Sequence, residues 1–132
     1  VNEAIADGSG TNVLRNSLWL EIIGPDFIAK AFQYARETDP DAILRYNDYG
    51  LENPAKRGKL ISLIKSLQAE KVPIHAIGSQ AHVNVSTTFE TMDQALTEME
   101  SLGLPTGPWL RDANWANFPA AWASPRRRCI CW

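Results

Sequence analysis

Three short polar clusters hold the residue types that perform acid–base chemistry: Val1-Asn2-Glu3-Ala4, Tyr46-Asn47-Asp48-Tyr49 and Gly78-Ser79-Gln80-Ala81-His82. Glu3 has amide-bearing Asn2 before it and apolar Ala4 and Ile5 behind it. Partial shielding from water would raise such a carboxylate's pKa toward the range of a general acid near neutrality. Taken alone, one glutamate is more often a solvated surface group. Gln80 and His82 are two apart, so an extended segment turns both side chains the same way, toward one pocket. By itself His82 reads as an orienting, hydrogen-bonding imidazole and His75 as a satisfied strand residue. Asn47, Asn53 and Tyr49 are the amides and amphipathic ring that line sugar sites, where an aromatic face packs on a pyranose. Other chemistries fit poorly. His75 and His82 are the only histidines, and no carboxylate or thiol completes a metal-ligand spacing around them. Cys129 and Cys131 stand too close for the common zinc or redox motifs and read as free thiols. Gly8-Ser9-Gly10 is a turn and not a phosphate loop, because no visible strand precedes it and no Lys-Ser/Thr follows.

The elements that must position these clusters alternate. Residues 25–37 form a predicted helix with Pro25 at its start and Phe27, Ile28, Ala31, Phe32 and Ala35 on one face. Asp39-Pro40-Asp41 stops it, since the residue before a proline is pushed out of the α region. Residues 42–46 are a short apolar strand delivering Asn47-Asp48-Tyr49-Gly50 at its carboxyl end. A helix over 54–69 follows, with Leu60, Ile61, Leu63, Ile64 and Leu67 as its core stripe. Residues 74–78 are the next strand and deliver Gln80 and His82. Thr87 and Glu90 stand in capping-box relation before a third helix, which Gly103 ends. This is the rhythm of strand–helix–strand units, which build parallel sheets and place functional groups beyond the carboxyl ends of strands.

The chain has 132 residues, is 45% apolar and 21% charged, and carries a formal charge of −2, which excludes whole-chain disorder and collagen-like or disulfide scaffolds. No run of about 18 apolar residues is present to span a membrane, and the opening lacks the pattern of an export signal. The opening at Val1, without an initiator methionine, reads as a fragment or a mature chain. Composition breaks near Pro105. Residues 1–104 hold nine Lys/Arg against fourteen Asp/Glu, whereas residues 105–132 hold four Arg against Asp112, together with Trp109, Trp115, Trp122 and Trp132. Residues 1–105 are therefore expected to form one unit, and residues 106–132 a divergent Trp/Arg-rich tail outside it. A basic, aromatic tail could touch nucleic acid or anionic lipid, but three adjacent arginines are too few to make either an expected partner. The plainer readings are an unpacked extension or a stretch translated out of register.

Together the three clusters, in order and at this spacing, resemble glycoside hydrolase family ten, the endo-β-1,4-xylanases, from Val1 to about Pro105. Gly24-Pro25-Asp26-Phe27-Ile28-Ala29-Lys30-Ala31-Phe32 and Ala35-Arg36-Glu37-Thr38-Asp39-Pro40 fit as well. The resemblance implies an α/β fold, namely part of a (β/α)8 TIM barrel from the end of strand 4 through helix 6. It makes Glu3 the general acid/base of a retaining mechanism and Asn2 the amide on the sugar 2-hydroxyl. By the same likeness Gln80 contacts the acid/base, His82 positions the nucleophile, Tyr49 stacks on a sugar on the leaving-group side, and Asn47 joins the substrate-binding residues. Xylan or a xylooligosaccharide is the implied partner, without metal or organic cofactor. Secretion and self-association through open sheet edges are further expectations. The family's nucleophile is a second glutamate in a Thr-Glu-Leu-Asp type motif soon after the Leu-Gly-Leu-Pro that stands here at 102–105. In this chain Thr106-Gly107-Pro108-Trp109-Leu110-Arg111-Asp112 follows, and no glutamate occurs after Glu100. A retaining site needs two carboxyls roughly 5–5.5 Å apart, so the chain alone is expected to turn over little. The alternatives are a non-catalytic carbohydrate-binding remnant using Tyr49, Asn47 and Gln80, or an α/β interaction domain whose basic aromatic tail is the working part.

Overall fold

The computed structural model describes residues 1–108. Its elements are α1 (Leu18–Ile23), α2 (Phe27–Thr38), β1 (Arg45–Asp48), α3 (Pro54–Ala69), β2 (Ala76–Ser79), α4 (Phe89–Glu100) and β3 (Thr106–Pro108). The strands make one parallel sheet in the order β1-β2-β3, with α3 and α4 as the crossovers. Residues 1–3 continue the parallel order beside β1. Asn2 bridges Asn47, the Glu3 N–H donates to the Asn47 carbonyl at 2.8 Å, and the Asn47 N–H donates to the Val1 carbonyl at 2.9 Å. Four extended segments thus end side by side.

The helices start where side chains can satisfy their free N–H groups. Asn53 Oδ1 accepts from Ala55 N at 2.9 Å and from Lys56 N at 3.4 Å, with Pro54 at the first helical position. At α4 the cap is Thr88, which accepts from Thr91 N, one residue later than predicted. Thr87 instead accepts the Asn84 N–H at 3.3 Å and holds the preceding turn. Helix α1 was not anticipated, because its six residues are too few to show a stripe. Ser17 caps it, and Leu18, Trp19 and Ile22 are exposed on it.

The strands begin two or three residues later than hydrophobicity suggests. Ala42, Leu44 and Ile74 are buried, but apolar burial and ladder pairing are separate properties. The Leu44 N–H is taken by His75 Nδ1 at 2.9 Å, so regular pairing starts only at Arg45 opposite Ala76. A second difference lies at the composition break, where Thr106–Pro108 extend the sheet as β3. The boundary expected at Pro105 therefore falls inside the fold, while the remainder of the predicted tail, 109–132, lies outside the described residues.

The core sits between the sheet and its helices: Ile28 and Phe32 of α2, Leu60, Ile64 and Leu67 of α3, and Ala95 and Met99 of α4 pack with Ile5, Leu44, Tyr46 and Ile77. Burying each large apolar side chain contributes about 1.5–3 kcal/mol. Along β1 burial alternates, with Tyr46 and Asp48 buried and Arg45 and Asn47 partly open. Successive strand residues face opposite sides, so neighbouring residues in this strand serve different surroundings.

Candidate active site

Parallel register sets Asn2, Asn47 and Gly78 abreast on one face. A Cβ on Gly78 would lie 2.6 Å from Asn47 Oδ1 and 3.0 Å from Arg45 Cδ. Glycine therefore leaves the space in which the Asn47 amide lies across the sheet and donates to Asn2 Oδ1 at 2.6 Å. From the end of β2, Gln80 Nε2 donates to Glu3 Oε1 at 2.7 Å and to Asn2 Oδ1 at 3.2 Å. The other end of that amide, Gln80 Oε1, lies 2.9 Å from His82 Nε2, so the imidazole acts as the donor. Asn2, Glu3, Asn47, Gln80 and His82 thus form one hydrogen-bonded chain across three strand ends. Among the described residues, Glu3 (φ 54°), Lys71 and Ala81 (φ 49°) are the non-glycines with positive φ. Two of the three lie in this cluster, and such backbone costs on the order of 1–3 kcal/mol each.

The protonation of Glu3 differs from the sequence expectation. The hydrogen bond from Gln80 lowers its pKa below the ordinary glutamate value, and this outweighs partial burial. Asn2, Arg15 and Lys56 act in the same direction. The raised pKa expected from shielding does not arise, because Glu3 is only partly buried and its neighbours all favour the anion.

Tyr49 is placed in a different network. Its hydroxyl donates to Asp7 Oδ2 at 2.7 Å and accepts from Arg15 at 2.7 Å, while Lys56 Nζ lies 3.5 Å from the ring centroid. Lys56 also pairs with Asp7 at 2.8 Å and with Asp48 at 3.0 Å. Asp48 is fully buried and accepts from Tyr46 Oη at 2.7 Å, Ile5 N at 3.2 Å and Tyr49 N at 2.9 Å. Burial, with Asp48 beside it, pushes the Tyr46 hydroxyl well above its usual pKa, so it remains a donor. The Asn53 oxygen is used on the α3 cap, and the residue is exposed.

Asp7, Arg15 and Lys56 had not been singled out from the sequence. One signal was available: Lys56, Leu60, Ile64 and Leu67 share a helical stripe, and a lysine on a core stripe requires a buried acidic partner. Arg57 is likewise buried, and its Nε donates to Glu98 at 2.6 Å, tying α3 to α4. His75 is satisfied as expected but stands just before β2, where its Nδ1 accepts the Leu44 N–H and its ring contacts Arg36. Among the described residues no group of three or more His, Cys, Asp or Glu could hold a metal ion, and no helix is long and apolar enough to cross a membrane.

A parallel sheet with helical crossovers and a carboxylate–amide cluster at its strand ends is an α/β arrangement with its polar groups where such folds place their sites, and the family and structural neighbours make it part of a TIM-barrel-type fold. Residues 1–106 match glycosyl hydrolase family 10, and the chain belongs to that family. It is 48% identical over 105 residues to an endo-1,4-beta-xylanase of Geobacillus stearothermophilus, an alignment covering 79% of this chain and 32% of that protein. Among solved structures, the intracellular xylanase TsXylA of Thermoanaerobacterium saccharolyticum superposes with a TM-score of 0.75 at 42% identity, covering 80% of this chain and 32% of that one. Xylanase XynB of Paenibacillus barcinonensis gives 0.77 at 38% identity, with the same coverage. Glutamate-to-alanine mutants of TsXylA have been crystallised with xylotriose and with xylotetraose. The chain spans about a third of the length of these relatives.

Proposed function

We propose that the chain is the portion of an endo-β-1,4-xylanase running from the end of barrel strand 4 through helix 6, with Glu3 as its acid/base. The observation that carries this reading is the Gln80 amide, bonded at once to Glu3 and Asn2 from a different strand end. In a retaining cycle Glu3 protonates the glycosidic oxygen as a second carboxylate attacks the anomeric carbon, and then takes a proton from the water that releases the sugar. Asn2 bonds the 2-hydroxyl, Gln80 holds Glu3, His82 orients the nucleophile, Tyr49 stacks on a sugar on the leaving-group side, and Asn47 joins the substrate-binding residues. Xylan and xylooligosaccharides are the substrates, and export accompanies work on an insoluble polymer.

Among the described residues, the groups that lower the Glu3 pKa are Gln80, Asn2, Arg15 and Lys56, none of them acidic. A carboxylate 5–5.5 Å away would oppose ionisation and raise the pKa toward that of an acid catalyst. The sequence after Glu100 has no glutamate to fill that role. Self-association through sheet edges is part of the same proposal.

Two measurements test the proposal. The purified 132-residue chain should not hydrolyse a chromogenic xylobioside, and turnover lost in Glu3→Gln would show that it holds its own nucleophile. Residues 1–106, grafted in place of the corresponding 105 residues of the Geobacillus enzyme, should give a barrel that cleaves xylan with retention. A folded graft with no activity would sink the assignment.

A further inference from the structure

Lys56 occupies a position that two physical rules disfavour. It is the third residue of α3, at the positive end of the helix dipole, and it is only 4% exposed, although a buried ammonium is costly unless paired. Burial works against its charge, yet hydrogen bonds and charges from Asp7 and Asp48 outweigh it and raise its pKa above the ordinary lysine value. Departures from local rules of this kind gather at functional sites. The cation lies against a single aromatic face, 3.5 Å from the Tyr49 centroid, which is direct contact.

We infer that Lys56 is a positioning residue that closes one face of the Tyr49 ring and fixes its tilt, so that a sugar packs only on the opposite face. The inference rests on the reading of Tyr49 as a sugar platform. The ring is held at two points, its hydroxyl by Asp7 and Arg15 and one face by the ammonium, while Asp48 takes the backbone N–H of Tyr49. Arg15 also lies over the ring, but farther out, with its Cζ 5.5 Å from the centroid while its nitrogen bonds the hydroxyl. Asp7 and Arg15 come from opposite ends of a loop closed by the Ile5–Leu14 bridge, Asp48 from β1 and Lys56 from α3. The tilt of one ring is therefore set from two separate parts of the fold, the loop and α3, with Asp48 of β1 holding the Lys56 ammonium at 3.0 Å. An apolar residue at position 56 would fill the space but would attract neither carboxylate nor the electron-rich ring face.

The test is a xylotriose titration of the 132-residue chain, followed through the ring carbon–proton NMR signals of Tyr49. Wild type should respond, Lys56→Met should bind about tenfold more weakly, and Lys56→Arg, which keeps the charge and the stacking, should stay within about threefold. Lys56→Met leaves Asp7 and Asp48 facing each other; where it fails to fold, the Asp7→Asn/Lys56→Met double variant takes its place in the same comparison. A folded variant with unchanged affinity and unchanged Tyr49 shifts overturns the inference alone and leaves Lys56 as a stabilising ion pair. A wild-type Tyr49 signal that is indifferent to millimolar xylotriose overturns the sugar-platform reading itself, and the inference with it.

Discussion

Asn47 and Asp48 are adjacent in β1 but belong to two systems with opposite characters. Asn47 faces the side shared with Asn2 and Gly78, where amides surround a partly open carboxylate. Asp48 faces the helices, fully buried, with Tyr46, Lys56 and two backbone N–H groups on its oxygens. In the first system Gln80 and Asn2 are the described side chains that bond the Glu3 carboxylate, which is only partly buried. In the second, both carboxylate oxygens of Asp48 are fully engaged. The alternation of a strand is thus enough to separate a partly open amide–carboxylate cluster from a closed, buried ion network, one residue apart.

That separation can be broken from either side. The largest effect is expected for Asp48→Ala, which leaves Lys56 and the Tyr46 hydroxyl short of a buried partner. Stability to urea should fall by about 3–5 kcal/mol, whereas Glu3→Gln should change it by less than about 0.5 kcal/mol. Equal losses would dissolve the distinction. Gly78→Ala comes next, since its Cβ would fall 2.6 Å from Asn47 Oδ1. A cost of about 1–3 kcal/mol is expected, and the Asn47–Asn2 bond should be lost, visible as a shift of both amide side-chain NMR signals.

Gln80→Ala should have a smaller effect than Gly78→Ala. Glu3 has a depressed pKa in the fold, so its stabilising contribution is present above the unfolded value of about 4.3 and is lost as pH falls through the folded value. Removing the Gln80 donor should raise the carboxyl pKa in a carbon-detected NMR titration and flatten the acid limb of stability by less than about 1 kcal/mol, because the group is partly solvated. An unmoved pKa would mean that the hydrogen bond does not form in solution.

Much of this was legible in the sequence because it depends on local rules. Pro54 and the Leu60, Ile64, Leu67 stripe marked α3, and the two-residue spacing of Gln80 and His82 put them together. Strand ends bearing Asn2, Asn47 and Gln80 followed from the strand–helix rhythm. The pKa direction of Glu3 was not legible, because it is set by Gln80, 77 positions away. The place of Tyr49 was missed for the same reason: Asp7 and Arg15 reach it only through the return of the loop past the Ile5–Leu14 bridge. Hydrophobicity located the strands but misplaced their pairing, since Leu44 bonds to an imidazole where a ladder would begin.

The proposal that Glu3 delivers the proton is tested most directly in the grafted barrel, by comparing Glu3→Ala on xylan and on dinitrophenyl xylobioside. Xylan needs its leaving oxygen protonated, whereas dinitrophenolate departs without help. Hydrolysis of xylan should fall about 10²–10⁴-fold, while release of the first equivalent of dinitrophenol should proceed at close to the unmutated rate. An equal loss on both substrates, or no loss on xylan, would contradict the assignment of Glu3 as the acid.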